Sequence, residues 1–364
     1  MSALPHTQRQ RILTGDTPTG RLHLGHYVGS LENRLRLQNS GQYECYFLLA
    51  NMHAFTTRAD KPADIRSDTI EIVKDWLAVG IDPNRSTIVL QTEIPAIAEL
   101  SWFFSMLIPF NKVMRNPTLK TEIESKGLGD TYPFGFPMYA VGQCADILAF
   151  RPALVPVGED QVAHIEMCRD VALKFNQLYC NVGNRVPPEE HEKAGGVFPI
   201  PGALIGRIGR LVGTDGKQKM SKSLGNAIML SDAPNDVQKK VNKIFTGRQS
   251  PTDKGDPDNA LMQYLDAFMA PTEPDKAADL RKRYIAGDNL GDGVVKQELA
   301  KSINALLEPM RARRAEYEKP GGDDLVIDTI KSGTARANVI AEETLSMAKD
   351  AMKLGFWKRC LSAL

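Results

Sequence analysis

The stretch PTGRLHLGH, residues 18–26, indicates the fold of this chain. It follows an apolar run at 12–14 and precedes a helical pattern, so it predicts a strand, a glycine turn and a helix start. Gly25 carries no Cβ, which lets a flat ring or a phosphate approach the backbone. The free N–H groups of a helix start favour anions, and the His23 and His26 rings add donors. The stretch therefore predicts a phosphate-binding turn after a strand.

A second stretch, KMSKS at residues 219–223, lies far downstream after a glycine-rich turn. Its Lys219 and Lys222 are three positions apart, so both ammonium groups can contact the same polyphosphate. A solvated loop rich in lysine and serine is the alternative for a short run of this composition. Charges positioned in advance are usually the largest catalytic contribution. Because both stretches occur in one chain, the pair favours a triphosphate site.

The composition is that of an ordinary globular protein. The chain has 364 residues, enough for two domains, with 42% hydrophobic and 24% charged residues. A net charge of +1 excludes the basic excess of a general DNA coat, so DNA is not an expected partner. The five cysteines include no Cys-x-x-Cys pair, which argues against a disulfide framework and a zinc site.

The location expected for the chain is the cytoplasm. Residues 1–11 are polar and lack the apolar core of a secretory signal. No segment approaches ~20 uninterrupted apolar residues, so neither a membrane span nor a membrane partner is expected. The odd number of cysteines also fits a reducing compartment.

Strand-like and helix-like patterns alternate through the first two-thirds of the chain. The strand-like runs at 45–50 and 87–90 are separated by a helical pattern at 63–79. This order predicts an α/β fold with a parallel sheet and helices on its faces. Ligands of such sheets bind at the carboxyl ends of the strands, where the candidate residues lie.

Beyond residue 232 the pattern is purely helical. We therefore predict a first domain at 1–230 and an all-helical region at 231–364, whose last helices can pack back on the first domain. Arg311, Arg313 and Arg314 in this region are either a solvated face or contacts for nucleic-acid phosphates. The helical segments expected here are 237–245, 259–268, 276–286, 293–317 and 335–353.

Residues 12–355 resemble the bacterial tryptophanyl-tRNA synthetases, which belong to class I. The stretch at 18–26 is similar to the first class I signature and KMSKS to the second. VPVGEDQ at 155–161 and ADIL at 145–148 are similar to stretches typical of the tryptophan branch. The resemblance implies a Rossmann-like catalytic domain, a C-terminal helical domain that reads the anticodon, and a homodimer.

The resemblance also implies the substrates and the reaction. The expected partners are L-tryptophan, tRNA(Trp) and ATP with Mg²⁺, and the Mg²⁺ enters with ATP rather than at a dedicated protein site. The tryptophan carboxylate attacks the α-phosphorus of ATP, and the terminal ribose hydroxyl of the tRNA then attacks the adenylate. The first step needs no general base, because the carboxylate is already a nucleophile.

The nucleotide side follows from the two signature stretches and from GEDQ. Glu159 and Asp160 would meet the ribose of the adenosine, although both could instead be first-turn acids favoured by the helix dipole. The catalytic groups implied are His23, His26, Lys219 and Lys222. The residues expected at ATP are Thr17, Pro18, Thr19, Gly25, His26, Gly158, Glu159, Asp160, Lys219, Met220, Ser221, Lys222 and Ser223.

The tryptophan side is implied in the same way. Asp146 would accept a hydrogen bond from the indole N–H, and a helix cap is the alternative. His53 and Tyr139 would line the pocket, although packing alone explains either residue equally well. Gln161 would bind the ammonium or the carboxylate of the substrate. The residues expected at tryptophan are Asp146, Tyr139, Gln143, Gln161 and His53.

Three alternatives stay open at this stage. A tyrosine-specific synthetase would differ only in the pocket, and Gln143, three positions before Asp146, is typical of that branch. A smaller nucleotidyltransferase would share the first motif but would not need the helical region after residue 230. Loss of His26 or Lys222 would have indicated a non-catalytic paralogue that serves as a binding module, and both residues are present.

Overall fold

The structure, a computed structural model, describes residues 9–158, 161–206 and 211–357. Its centre is a five-stranded sheet in the order β3-β2-β1-β4-β5, and every neighbouring pair is parallel. The expected α/β fold is therefore confirmed. The strand order reverses beside β1, which creates the crevice where ligands of such sheets bind. The strands are β1 (Gln10–Asp16), β2 (Tyr43–Leu49), β3 (Ser86–Leu90), β4 (Leu154–Val157) and β5 (Gly202–Ile205).

Helices connect the strands and continue beyond the sheet. None of the helices in the described ranges is long and apolar enough to cross a membrane. In chain order they are α1 (Leu24–His26), α2 (Glu32–Ser40), α3 (Asn51–Arg58), α4 (Pro62–Val79), α5 (Pro95–Ser105), α6 (Phe110–Met114), α7 (Pro117–Ser125), α8 (Gly135–Leu148), α9 (Val162–Tyr179), α10 (Pro234–Asn242), α11 (Ala260–Tyr264), α12 (Pro274–Ala286), α13 (Asp292–Tyr317) and α14 (Gly322–Ala351).

The two faces of the sheet bury different hydrophobic clusters. Successive side chains of a strand point to opposite faces, and β2 shows this directly. Phe47 and Leu49 belong to the cluster that α4 and α13 cover, whereas Tyr46 and Leu48 belong to the cluster of α5, α8 and α9. Both faces are buried, as a parallel sheet requires.

The core continues from the sheet into the C-terminal helices. Val237 on α10 and Leu299 on α13 share one cluster with Trp76 on α4. Because apolar contacts run without a break across residue 230, the boundary between 1–230 and 231–364 remains a prediction.

Helix α14 covers the outer edge of β3. The backbone N–H of Leu90 donates to Thr334 Oγ1 at 3.0 Å, and a Cβ on Gly333 would lie 2.1 Å from the carbonyl oxygen of Ile88. The close approach therefore needs glycine at this position. Helix α14 begins at Gly322, well before the expected position 335, because Val326 and Ile330 are buried in the cluster shared with α4 and α13, and this packing outweighs the weak helix propensity of the first turns.

The arginines near the end of α13 hold the fold together. Arg314 is 3% exposed and forms ion pairs with Asp75 and Glu71 of α4. Arg313 Nε donates to the carbonyl oxygen of Ala78, and Arg311 Nη1 donates to that of Asp232. Both interpretations of these residues from sequence, a solvated face and phosphate contacts, are wrong for Arg314, whose charge is neutralised inside the protein.

Candidate active site

The HxGH turn lies at the carboxyl end of β1 and pairs with the segment after KMSKS. His23 precedes the first residue of α1. The N–H of Leu24 donates to the carbonyl oxygen of Ile228 at 2.9 Å, and the N–H of Leu230 donates to that of Leu22 at 3.0 Å. Two stretches that are distant in sequence are therefore joined by backbone hydrogen bonds.

KMSKS itself contacts the HxGH turn through its side chains. Met220 is buried, and its sulfur accepts from the N–H of Gly25 at 3.3 Å. Lys222 Nζ donates to the carbonyl oxygen of Thr19. Lys219 is exposed, and its charge acts on both histidines. The structure thus brings both lysines to the same turn as the histidines, as the sequence predicts.

The two histidines of the turn are neutral at physiological pH. Burial lowers the pKa of His23 to about 2, and His26 and both lysines add to this effect. Burial also lowers the pKa of His26 to about 4, against the opposing charge of Asp16. The ring centroids lie 3.8 Å apart, too close for two imidazolium ions. The positive charge of the site therefore comes from the lysines.

The tautomer of His26 follows from one hydrogen bond. The backbone N–H of His23 donates to His26 Nδ1 at 3.2 Å. Since Nδ1 accepts, the single proton of the neutral ring is on Nε2. His26 can therefore donate one hydrogen bond to a phosphate oxygen without carrying a charge.

Asn226 fixes the shape of the KMSKS loop, and sequence reasoning missed it. Its side chain is buried. Its Oδ1 accepts from the N–H of Ser221 at 2.7 Å, and its Nδ2 donates to Asp215 Oδ2 at 2.9 Å. The only signal in the sequence is the Leu-Gly-Asn that follows the motif.

A buried carboxylate marks the second half of the site. Asp146 on α8 accepts from Gln91 Nε2 at 2.7 Å through Oδ1, and its Oδ2 lies 3.5 Å from His53 Nε2. Burial raises the pKa of Asp146 to about 7, although the hydrogen bond from Gln91 acts in the opposite direction. Burial, with the neighbouring His164, lowers the pKa of His53 to about 4. His53 is therefore neutral beside Asp146.

Aromatic rings pack in a row near this carboxylate. The His53 and Tyr139 rings pack edge to face with centroids 5.7 Å apart, and the next ring, His164, lies 5.5 Å from Tyr139. A cavity of about 1100 Å³ is lined by His53, Tyr139 and Gly142, and on its far side by Ile330 of α14. An aromatic side chain with one N–H donor suits a pocket of this kind.

The sequence of this chain matches a family of enzymes over most of its length. Residues 5–308 match the family model described as tRNA synthetases class I (W and Y). The chain belongs to this family. The resemblance expected from the sequence is confirmed, and the two signature stretches that meet in space are those of the synthetase.

Curated relatives cover nearly the whole synthetase. A protein named tryptophan--tRNA ligase from Clostridium longisporum is 42% identical and covers 96% of this chain and 98% of the relative. The protein of that name from Treponema pallidum is 43% identical and covers 94% and 97%. Identity at this level over nearly the full length of both chains shows that this chain and these relatives share the same fold throughout.

Solved structures give the same result for the fold. Tryptophanyl-tRNA synthetase from Campylobacter jejuni, complexed with ADP and tryptophan, has a TM-score of 0.76 and 28% identity, and covers 94% of this synthetase and all of that chain. Tyrosyl-tRNA synthetase from Archaeoglobus fulgidus, complexed with L-tyrosine, has a TM-score of 0.63 and 22% identity, and covers 84% and 91%. The second likeness concerns the fold alone.

Two further predicted residues of the synthetase, Gln143 and Gln161, lie on α8 and immediately before α9. Gln143 is half-buried on α8, one helical turn from Tyr139 and Asp146, at a spacing that places the three on one face. Gln161 immediately precedes α9 as its N-cap residue, and its N–H donates to the carbonyl oxygen of Gly158 at 3.0 Å. Their contacts with a substrate stay predictions. Glu159 and Asp160 lie outside the described residues.

Sequence reasoning missed two more residues that shape the amino-acid side. Gln91 follows β3 directly and bonds to Asp146. His164 is not among the residues predicted for the site, yet it is buried against Tyr139 and influences the pKa of His53. A strand end in a parallel sheet was the available signal for Gln91, and nothing in the sequence distinguished His164 from a core residue.

Proposed function

We propose that this synthetase ligates L-tryptophan to tRNA(Trp) through tryptophanyl-adenylate, releasing pyrophosphate and AMP. The observation that carries the proposal is that the HxGH and KMSKS stretches meet in a chain that also buries an acceptor, Asp146, 3.5 Å from the cavity residue His53. The names of the full-length relatives support the choice of tryptophan.

The first step needs positioning and charge rather than acid–base chemistry. The tryptophan carboxylate attacks the α-phosphorus of ATP in line, one P–O bond forms, and the bond to pyrophosphate breaks. Lys219 and Lys222 neutralise the pyrophosphate, and His23 and His26 donate neutral hydrogen bonds to oxygens whose charge increases.

Mg²⁺ enters with ATP as part of the substrate. In the described ranges, no group of three or more His, Cys, Asp or Glu side chains is arranged to hold a metal ion. In this proposal the phosphate oxygens and water supply the ligands, as is usual for Mg²⁺ on nucleotides.

Tryptophan is selected by a buried hydrogen bond. Asp146 is 2% exposed, so an indole N–H that reaches it replaces no water. A side chain of similar shape without that donor would leave the acceptor unpaired, which a buried site penalises strongly. Gln143 and Tyr139, on the same helix face, would complete the pocket, and Gln161 would hold the substrate's ammonium or carboxylate group.

The second step and the assembly are part of the same proposal. The terminal ribose hydroxyl of tRNA(Trp) attacks the adenylate carbonyl, and the helices after residue 231 read the anticodon. A homodimer is supported by Trp102, Met106 and Phe110, around the end of α5 and the start of α6, which are 62–64% exposed, since large apolar side chains at a surface mark contact sites. Sedimentation equilibrium would give the mass of two chains.

We place the reaction in the cytoplasm. The free thiols of Cys45, Cys144 and Cys168 are buried, and burial raises the pKa of Cys45 to about 12. Unpaired thiols of this kind fit a reducing compartment, because cysteines of proteins in oxidising compartments usually form disulfides.

The test is amino-acid-dependent exchange of pyrophosphate into ATP, with tryptophan and tyrosine assayed separately, followed by charging of tRNA(Trp). Exchange with tryptophan alone is expected. Exchange with tyrosine alone would keep the mechanism and replace the substrate. Folded protein that exchanges with neither would be a binding module, and the proposal would be wrong.

A further inference from the structure

Gln91 joins three walls of the amino-acid pocket. It is the first residue after β3 and is 1% exposed. Its Oε1 accepts from the backbone N–H groups of Met52 and His53 at 3.0 and 3.3 Å, and its Nε2 donates to Asp146 Oδ1 at 2.7 Å. One amide therefore links the end of a strand, the start of α3 and the last turn of α8.

These contacts fix which way the amide points. Two backbone N–H groups can be accepted only by the oxygen of Gln91, so its nitrogen must face Asp146 and donate. Oδ1 of Asp146 is thereby occupied. Oδ2 is left on the side of His53, which lines the cavity. The carboxylate cannot rotate freely, because rotation would break a hydrogen bond to a buried ionisable group.

We propose that Gln91 is a positioning residue for tryptophan: it holds Asp146 through Oδ1 so that Oδ2 is directed at the indole N–H. This inference rests on the proposed function, in which Asp146 accepts that N–H. By the same contacts Gln91 places His53, so the carboxylate and the ring that lines the pocket keep a constant separation. The predicted effect is on tryptophan and not on ATP.

The chain offers a matched control at the opposite end of the same strand. Gln38 is 3% exposed. Its Oε1 accepts from the N–H of Asp82 and from Ser86 Oγ at 2.9 and 2.8 Å, and its Nε2 donates to the carbonyl oxygen of Gly80 at 3.1 Å. Gln38 is thus an equally buried bridging glutamine, but it lies at the amino end of β3, away from the site.

The first experiment compares Gln91→Leu with Gln38→Leu in the full-length chain. Both variants should unfold at lower temperature. In the exchange assay, Gln91→Leu should raise KM for tryptophan roughly 10- to 100-fold, as expected for a lost hydrogen bond to an ionised group. Its KM for ATP should stay within about threefold of the wild type, and Gln38→Leu should leave both KM values within that limit. An unchanged KM for tryptophan in Gln91→Leu, or an equal increase in Gln38→Leu, would overturn the proposal.

A second experiment does not depend on removing the side chain. In Gln91→Glu, two carboxyl groups face each other. In Asp146→Asn, the amide nitrogen is turned toward the indole N–H, so that two hydrogen-bond donors face each other. When both changes are combined, the amide introduced at position 146 can donate its N–H to the carboxylate introduced at position 91 and direct its oxygen at the indole.

The double variant should therefore have a KM for tryptophan at least about tenfold lower than that of either single variant. A double variant no better than the worse single variant would contradict the proposal. Wild-type protein that fails to exchange with tryptophan would instead refute the proposed function, so the two failures are distinguishable.

Discussion

The two halves of the active site are built in opposite ways. The nucleotide half consists of two turns with exposed or half-buried lysines, and its histidines are neutral. The amino-acid half contains the buried carboxylate of Asp146, which accepts a hydrogen bond from the Gln91 amide. Aromatic rings from three helices pack nearby. In the proposed function, the first half would place charge where charge develops during the reaction. The second half would recognise the indole N–H, which does not change in the reaction. Because the two halves would separate catalysis from selection, substitutions in the nucleotide half should change mainly kcat. Substitutions in the amino-acid half should change mainly KM for tryptophan.

The largest expected effect is in the nucleotide half. Lys222→Ala should lower kcat for exchange by roughly 100- to 1000-fold, because one pre-positioned donor to the transition state is lost. KM for tryptophan should change by less than about threefold. Lys217→Ala is the control, since Lys217 lies in the same hairpin and packs over the ring of Phe245. If KM for tryptophan in Lys222→Ala rose by the same factor as kcat fell, the proposed separation of roles between the two halves would be wrong.

The next effect is in the amino-acid half. Asp146→Asn should raise KM for tryptophan roughly 10- to 100-fold, because Gln91 Nε2 holds the amide oxygen and leaves the amide nitrogen facing the indole. kcat at saturating tryptophan and KM for ATP should change much less. Steady-state exchange with tryptophan and tyrosine measures both the loss and the discrimination. Unchanged preference for tryptophan would mean that another group reads the indole.

A smaller effect is expected at the residue that shapes the lysine loop. Asn226→Ala removes the bonds to Ser221 and Asp215, so Lys219 and Lys222 would be held less precisely. We expect kcat to fall about tenfold, with no change in KM for tryptophan. Stopped-flow measurement of adenylate formation would locate the loss in the chemical step. Wild-type rates in this variant would show that the backbone alone holds the loop.

The smallest effect is a dependence of tryptophan binding on pH. The pKa of Asp146 is about 7, so the group is protonated below that pH and a stronger acceptor above it. KM for tryptophan should fall by about three- to tenfold between about pH 6 and about pH 8. His53, the titratable group that faces Asp146, has a pKa of about 4 and stays neutral throughout. The same profile measured in Asp146→Asn should be flat, and an identical slope in that variant would assign the titration elsewhere.

The comparison also explains what could be predicted from the sequence. The nucleotide half is encoded locally: a strand, a glycine turn and a helix start follow one another within 10–26, and KMSKS is continuous. The amino-acid half is assembled across the chain. Gln91 and Asp146 are 55 positions apart, and neither residue has a neighbour in sequence that reveals the other. Asp146 was identified only by resemblance, and Gln91 was missed.

The helical region was predicted less well for a related reason. Helix periodicity gave the existence of α13 and α14 but not the early start of α14, whose first turns bury Val326 and Ile330 in the cluster shared with α4 and α13. The same limit applies to Arg314, whose partners Asp75 and Glu71 lie on α4. From sequence alone, a charged residue in a helical pattern is interpreted as solvent-exposed, because partners distant in the chain are not known.

The covering of β3 by α14 sets an order of events on the ribosome. Leu90 and the Thr334 hydroxyl that accepts its N–H are 244 positions apart. At roughly 5–20 residues per second, a nascent chain carries the open edge of β3 for about 10 to 50 seconds before its cover is synthesised. Ile330 and Thr334 of α14 also line the cavity beside His53, so that cavity closes only after the same helix has been synthesised. A half-made synthetase therefore exposes a strand edge that invites pairing, and its cavity lacks one wall.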